Sequence, residues 1–170
     1  SPFGRKIWIL SVKRKQTGRR ASLLIRKGLW IAKGSVVFEG SSLGVPTEVD
    51  LEIVEDQDGL TVTGTIEGAG KGEVSIRIGA DDAGTYVVDA RIGSLALDGI
   101  AKLESEPNVC LLWNVGQTQS ATVSLFVVDT GIGCRGFFRE AGKTVTWEIL
   151  FRPTQQVVSG DNVVSLMRRR

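Results

Sequence analysis

The alternation of apolar and polar residues predicts a series of short β-strands. Val49, Leu51 and Ile53 alternate with acidic residues, a tight turn follows at Asp56–Gly59, and alternation resumes over 60–66. Roughly nine or ten such apolar runs, separated by glycine-rich turns, follow one another along the chain. This spacing is typical of an all-β, mostly antiparallel protein.

A closed β-barrel is favoured over a β-sandwich, with residues 1–170 forming a single β domain. No long helical period separates the runs, which argues against a parallel βαβ sheet. The runs near Val109 and Val123 are apolar on both faces. In a barrel, one face would fill the interior, and a helix, a second sheet or a neighbouring subunit would cover the other. A homo-oligomer is therefore one predicted state.

Charge is unevenly distributed along the chain. The N-terminal segment 1–33 holds 10 basic residues and no acidic one, although the net charge of the whole chain is only +2. As an alternative function, this segment predicts binding to RNA, DNA or another polyanion, or a role in assembly. Trp8 and Trp30 could stack on bases. It could instead pair with the chain's own acidic strands. The basic residues of the polyanion hypothesis are Arg5, Lys6, Lys13, Arg14, Lys15, Arg19, Arg20, Arg26 and Lys27.

The absence of histidine narrows the chemistry. With His at 0, triads of the Ser-His-Asp type and histidine zinc sites are excluded. The turns Asp56–Gly59 and Asp81–Gly84 lack the calcium-loop spacing and are interpreted as structural turns. We therefore expect no metal, no cofactor and no enzymatic activity.

The two cysteines, Cys110 and Cys134, lie inside apolar runs. Separate burial as small apolar side chains is the favoured interpretation. A disulfide and a reactive thiol are the alternatives, and a disulfide requires close Cα atoms.

Gly28-Leu29-Trp30 resembles the Gly-x-Trp element at the first barrel strand of lipocalins and other calycin-like β-barrel proteins. The resemblance covers these residues and the strand count. It implies a barrel closed at one end by the Trp, with an arginine from a late strand, Arg139 or Arg152, packed across the indole.

These features together predict a non-enzymatic β-barrel protein that binds a small hydrophobic ligand in its interior. Four aromatic residues are expected to reach the interior, and two further residues are expected to supply polar groups there; filling of a solid core is the alternative. They are Trp113, Phe126, Phe138 and Trp147, with Tyr86 and Arg135. No apolar run is long enough for a transmembrane segment, so a soluble and cytoplasmic protein is expected.

Overall fold

The structure is a computed structural model that describes residues 23–81 and 84–154. These residues form one closed barrel of ten antiparallel strands. The strands are β1 (Gly28–Phe38), β2 (Val45–Asp56), β3 (Gly59–Glu67), β4 (Lys71–Ala80), β5 (Tyr86–Ile92), β6 (Leu95–Lys102), β7 (Asn108–Trp113), β8 (Gln119–Val128), β9 (Gly131–Glu140) and β10 (Lys143–Pro153). The predicted all-β closed barrel is confirmed.

The strand order is the simplest that a barrel allows. Each strand pairs with the next one along the chain, and β10 returns to pair with β1, where Val36 lies opposite Trp147. Closure leaves no unpaired sheet edge, so the backbone groups of every strand have partners on both sides. None of the described residues forms a helix long and apolar enough to cross a membrane.

The seam between β1 and β10 depends on a glycine. A Cβ atom on Gly34 would lie 2.0 Å from the carbonyl oxygen of Glu148 on β10. No side chain fits in that space, so glycine allows the first and last strands to approach closely enough to close the barrel.

The turn between β2 and β3 forms as the sequence indicates. The backbone N–H groups of Asp58 and Gly59 donate to Asp56 Oδ1 at 2.8 and 2.9 Å. This aspartate therefore satisfies two turn amides that the strand ladder leaves free.

Alternate residues point into the barrel and out of it, and the outer wall is not uniform. On β2 the outward positions are mostly acidic, as at Glu48, Asp50 and Glu52. From β5 to β9, in contrast, outward residues that lie opposite one another on neighbouring strands are mostly large and apolar, and these side chains are 46–56% exposed. We call this the outer row: Val87, Ile100, Leu111 and Phe137, with Thr122 between the last two.

Nothing within the described residues covers the outer row, since they form neither a helix nor a second sheet. The strands predicted to be apolar on both faces thus have one face that lines the interior and one face that is half-exposed. A neighbouring subunit over the outer row stays a prediction.

Candidate functional site: an apolar cavity inside the barrel

The barrel interior holds a cavity of about 370 Å³. Inward side chains from all ten strands line it, and most are aliphatic, as at Val62, Ile76, Ala90 and Leu125. Several inward residues at mid-strand, including Leu51 and Ile76, are only half-buried. Because these side chains point inward, the surface they leave uncovered faces the cavity. The interior is therefore not a solid core.

One end of the barrel, which we call the capped end, is closed by side chains. Trp30, Leu103 and Asn108 lie there and are 8%, 4% and 2% exposed. The chain segment before β1 also packs against this end of the core through Leu23, Leu24 and Ile25, and Ile25 lines the cavity. The indole N–H of Trp30 donates to the carbonyl oxygen of Arg26 at 2.9 Å, which fixes the segment to the barrel.

The opposite end, which we call the far end, is packed unevenly. Val36 and Thr47 are 9% and 1% exposed there. In contrast, Ile66, Ile92, Phe138 and Trp147 are half-buried and line the cavity. The loops at this end do not fold over the opening; Leu43 and Val115, for example, are 78% and 96% exposed.

A glycine makes room for the largest lining side chain at this level. Trp147 lies opposite Gly136 on β9, and a Cβ on Gly136 would lie 2.3 Å from Cζ2 of the indole. The indole thus lies flat against the inner wall at Gly136.

The few polar groups of the lining are already paired within the protein. With its side-chain nitrogen facing the loop after β6, Asn108 donates to the carbonyl oxygens of Leu103 and Ser105 at 3.1 and 2.9 Å. Trp147 donates to the thiol of Cys134. No buried side-chain nitrogen or oxygen of the described residues lacks a partner. The lining therefore presents mainly apolar surface to a bound molecule.

Both cysteines line this cavity as free thiols. Cys110 is on β7 and Cys134 on β9, with β8 between them. Neighbouring strands lie about 4.8 Å apart, so two strand spacings exceed the roughly 7 Å limit on the Cα separation of a disulfide. The disulfide alternative is thus not formed.

The thiols are also poor nucleophiles. Burial in the apolar wall is the main reason that the pKa of each rises to about 11. The neighbouring Cys134 adds to the rise at Cys110, whereas the hydrogen bond from Trp147 opposes it at Cys134. Thiols that stay protonated near neutral pH behave as small apolar groups.

Two of the predicted aromatic residues, Phe138 and Trp147, line the cavity. Trp113 and Phe126 do not, because their register places them on the outer wall. The ring of Phe126 covers Gly133, where a Cβ would lie 2.4 Å from the ring, and the Arg135 guanidinium lies 5.5 Å from the centre of that ring. Trp113 instead borders a shallow surface depression near the β7–β8 turn.

The two predicted polar residues also lie away from the cavity. Arg135 is on the outer wall, where its Nε lies 2.8 Å from a carboxylate oxygen of Glu148. Tyr86, at the capped end, packs against the core without lining the cavity. Burial, and to a lesser extent the charge of Glu104, raises the pKa of Tyr86.

The lining that sequence reasoning missed is aliphatic. Val62, Ile76, Ala90 and Leu112 sit at regular inward positions, where the pattern marks a core without showing that the core is hollow. Ile25 was missed too, because it lies in a segment interpreted mainly through its charge. Small residues at inward positions, such as Ala90 and Ala121, are a signal that the interior holds space.

The arginine arrangement expected from the lipocalin resemblance is not formed. Arg139 is at the far end, where it donates to Thr144 Oγ1 at 2.9 Å, whereas Trp30 is at the capped end. Arg152 lies next to Trp30's partner on β10 but points outward, donating to Thr130 Oγ1 at 3.3 Å. The capped end is closed by the segment before β1 instead.

Most of the basic residues named in the polyanion hypothesis are within 1–22, which lie outside the described residues. Of its nine members, Arg26 and Lys27 are described, and both are exposed at the capped end. That hypothesis stays a prediction. Among the described residues, no group of three or more His, Cys, Asp or Glu side chains could hold a metal ion.

Comparison with family models, with curated proteins and with solved structures found no match to this chain. The barrel also has ten strands, whereas lipocalin barrels have eight. The fold and the cavity are therefore the basis for any functional conclusion, and the resemblance to lipocalins stays a prediction.

Proposed function

We propose that this protein binds a small hydrophobic molecule inside the barrel. The observation that carries the proposal is the cavity of about 370 Å³ with an almost wholly apolar lining. Its volume is within the roughly 300–1,000 Å³ found for small-molecule sites.

Water is a poor occupant of such a cavity. An ordered buried water needs about 2–4 polar partners, and the polar side chains of the lining already have hydrogen-bond partners within the protein. The strand carbonyl and N–H groups are tied up in a ladder that closes on itself. An apolar molecule is therefore a more favourable occupant of the cavity than water, because it needs no hydrogen bonds from the lining.

Space that no atom fills also weakens the fold, because the side chains that line it lack van der Waals partners on that side. A ligand that fills the space supplies those contacts and stabilises the fold as it binds.

The far end is the proposed entrance. Its inward side chains Ile66, Ile92 and Phe138 are half-buried, and its loops are exposed, whereas the capped end is closed by Trp30 and the segment before β1. A ligand entering there would pass Phe138 and Trp147, which are proposed as its aromatic contacts.

The experiment compares the same substitution, alanine to phenylalanine, on the inner and outer sides of the barrel wall. Ala90 is buried and lines the cavity, while Ala96, on the neighbouring strand β6, is exposed on the outside. Binding is followed by the fluorescence of N-phenyl-1-naphthylamine, an uncharged apolar probe. Ala90→Phe fills the cavity and should weaken probe binding at least about tenfold, or roughly 1.4 kcal/mol. Ala96→Phe should leave binding unchanged.

The melting temperature shows whether each variant is folded. Without ligand, Ala90→Phe should melt no lower than the original protein, because the ring occupies void space. The proposal fails if the original protein does not bind the probe, or if a folded Ala90→Phe binds it as well as Ala96→Phe does.

A further inference from the structure

We infer that the cavity selects uncharged ligands and excludes the ionised form of an otherwise identical molecule. This inference rests on the proposed function and specifies its ligand class: compact, uncharged, hydrocarbon-like molecules that bind inside the barrel.

The first support is the absence of any cation from the lining. Among the described residues, no Lys or Arg lines the cavity. The two arginines of β9, Arg135 and Arg139, each follow a lining residue, but Arg135 pairs with Glu148 at 2.8 Å on the outer wall and Arg139 donates to Thr144 Oγ1 at 2.9 Å. An anionic ligand inside the barrel would thus have no opposite charge to offset the loss of its hydration.

The second support is that, among the described residues, no side-chain N–H group of the lining is free. The N–H groups of the lining are already used: Trp30 donates to Arg26, Trp147 to Cys134, and Asn108 to the loop after β6. A carboxylate needs several donors to remain ionised in a protein interior. To bind in its charged form it would have to break contacts that hold the capped end or the inner wall together.

The cavity wall itself does not titrate near neutral pH. Its ionisable groups are the thiols of Cys110 and Cys134, whose pKa values are raised to about 11. Tyr86, behind the wall at the capped end, has a raised pKa as well. Any pH dependence of binding between about pH 5 and pH 8 therefore reports the ionisation of the ligand.

Charged groups do occur at the far end, outside the cavity. Lys71 and Lys143 begin β4 and β10 there, and both are exposed. Glu39, Glu140 and Arg139 are also at this end, and Arg139 is engaged with Thr144 and with the carbonyl oxygen of Gly142. An amphiphile could be held there by its head group, so the test must separate that arrangement from full enclosure.

The experiment uses two probes of nearly the same shape, 2-methylnaphthalene and 2-naphthoate, each displacing N-phenyl-1-naphthylamine from the full-length protein. The apparent Kd of 2-methylnaphthalene should be constant from pH 5 to pH 8. That of 2-naphthoate should rise about tenfold per pH unit above the ligand's own pKa of roughly 4 to 5, because only the protonated acid enters. At pH 8 the acid should therefore bind at least about a hundredfold more weakly than the hydrocarbon.

A control variant examines the far end. Replacing Lys71 and Lys143 together by Gln removes two exposed positive charges and should leave the ratio of the two Kd values unchanged. Equal binding of 2-naphthoate and 2-methylnaphthalene at pH 8 would overturn the inference. The inference would also be overturned if the preference for 2-methylnaphthalene disappeared in the lysine variant or in high salt. The charge of 2-naphthoate would then interact with the far end and not with the cavity.

The two claims can fail separately. If neither probe displaces N-phenyl-1-naphthylamine and the fluorescent probe itself does not bind, the binding function is wrong. If 2-methylnaphthalene binds and 2-naphthoate binds equally well at pH 8, the cavity is a binding site without the selectivity inferred here.

Discussion

The inner wall of the barrel and its outer row are both apolar, yet they lie in opposite environments. On β7, Leu112 points inward and is 7% exposed, while its neighbour Leu111 points outward and is 47% exposed. The two residues are chemically identical and adjacent in the chain. The difference shows that burial comes from closure of the sheet, and that hydrophobicity alone does not identify the ligand-facing surface.

The largest expected contrast comes from placing a charge on each side of β7. Leu112→Asp puts a carboxyl group on the apolar inner wall without a partner and should lower the free energy of unfolding by about 3–5 kcal/mol. Leu111→Asp replaces a half-exposed side chain and should change it by less than about 0.5 kcal/mol. Urea titrations of both variants measure the difference. Equal losses would mean that the outer row is covered in solution.

A smaller contrast separates the two ends of the barrel. Asn108 is 2% exposed and donates to two loop carbonyl groups at the capped end. Asn108→Ala removes the donor to the carbonyl group of the buried Leu103 and leaves space at a buried position, so it should cost about 1–3 kcal/mol.

The control for this prediction is Asn114 at the far end. Its side chain makes two hydrogen bonds, accepting from the N–H of Gln119 at 2.9 Å and donating to Thr118 Oγ1 at 2.8 Å. Because water can replace these partners, Asn114→Ala should cost no more than about 0.5–1.5 kcal/mol. A larger loss at Asn114 than at Asn108, measured by thermal unfolding, would contradict the assignment of the closed end.

The smallest expected effect lies on the outer wall, at the exposed ion pair of Asp56 and Arg77. Arg77 Nη1 donates to Asp56 Oδ2 at 2.7 Å. This hydrogen bond is the main reason that the pKa of Asp56 lies below its ordinary value, and the N–H of Asp58 adds to the shift.

A carboxyl group with a lowered pKa in the folded protein stabilises it above its ordinary pKa, and this contribution is lost as the pH falls through the folded value. The original protein should thus lose slightly more stability than Asp56→Asn below about pH 5. Because the pair is exposed, the difference should be small and should shrink in high salt. The effect of Leu112→Asp should persist in salt; a strongly salt-dependent loss there would place residue 112 in contact with solvent.

The sequence predicts the barrel better than it predicts the lining. The strict alternation on β2, with Val49, Leu51 and Ile53 against acidic neighbours, assigns the inward face directly. On β7 and β8 both faces are apolar, so alternation does not show which face points inward. Trp113 and Phe126, which the sequence predicts to lie in the interior, are on the outer wall.

That the interior is hollow could not be predicted from any one strand. It depends on how many strands close the barrel and on how the small inward residues, such as Ala90 and Ala121, combine around the circumference. Closure at the capped end by residues 23–25 is also a tertiary arrangement, made by packing rather than by a local pattern.

Native mass spectrometry of the freshly purified full-length protein tests the binding function most directly, because it reports bound mass and subunit number together. The protein should carry an added non-covalent mass, or take up N-phenyl-1-naphthylamine in a one-to-one ratio with each chain. Ala90→Phe should carry a clearly smaller bound fraction at the same probe concentration, while Ala96→Phe behaves like the original. A bare polypeptide mass that does not change when the probe is added would contradict the account, and would leave the cavity as an unfilled feature of the barrel.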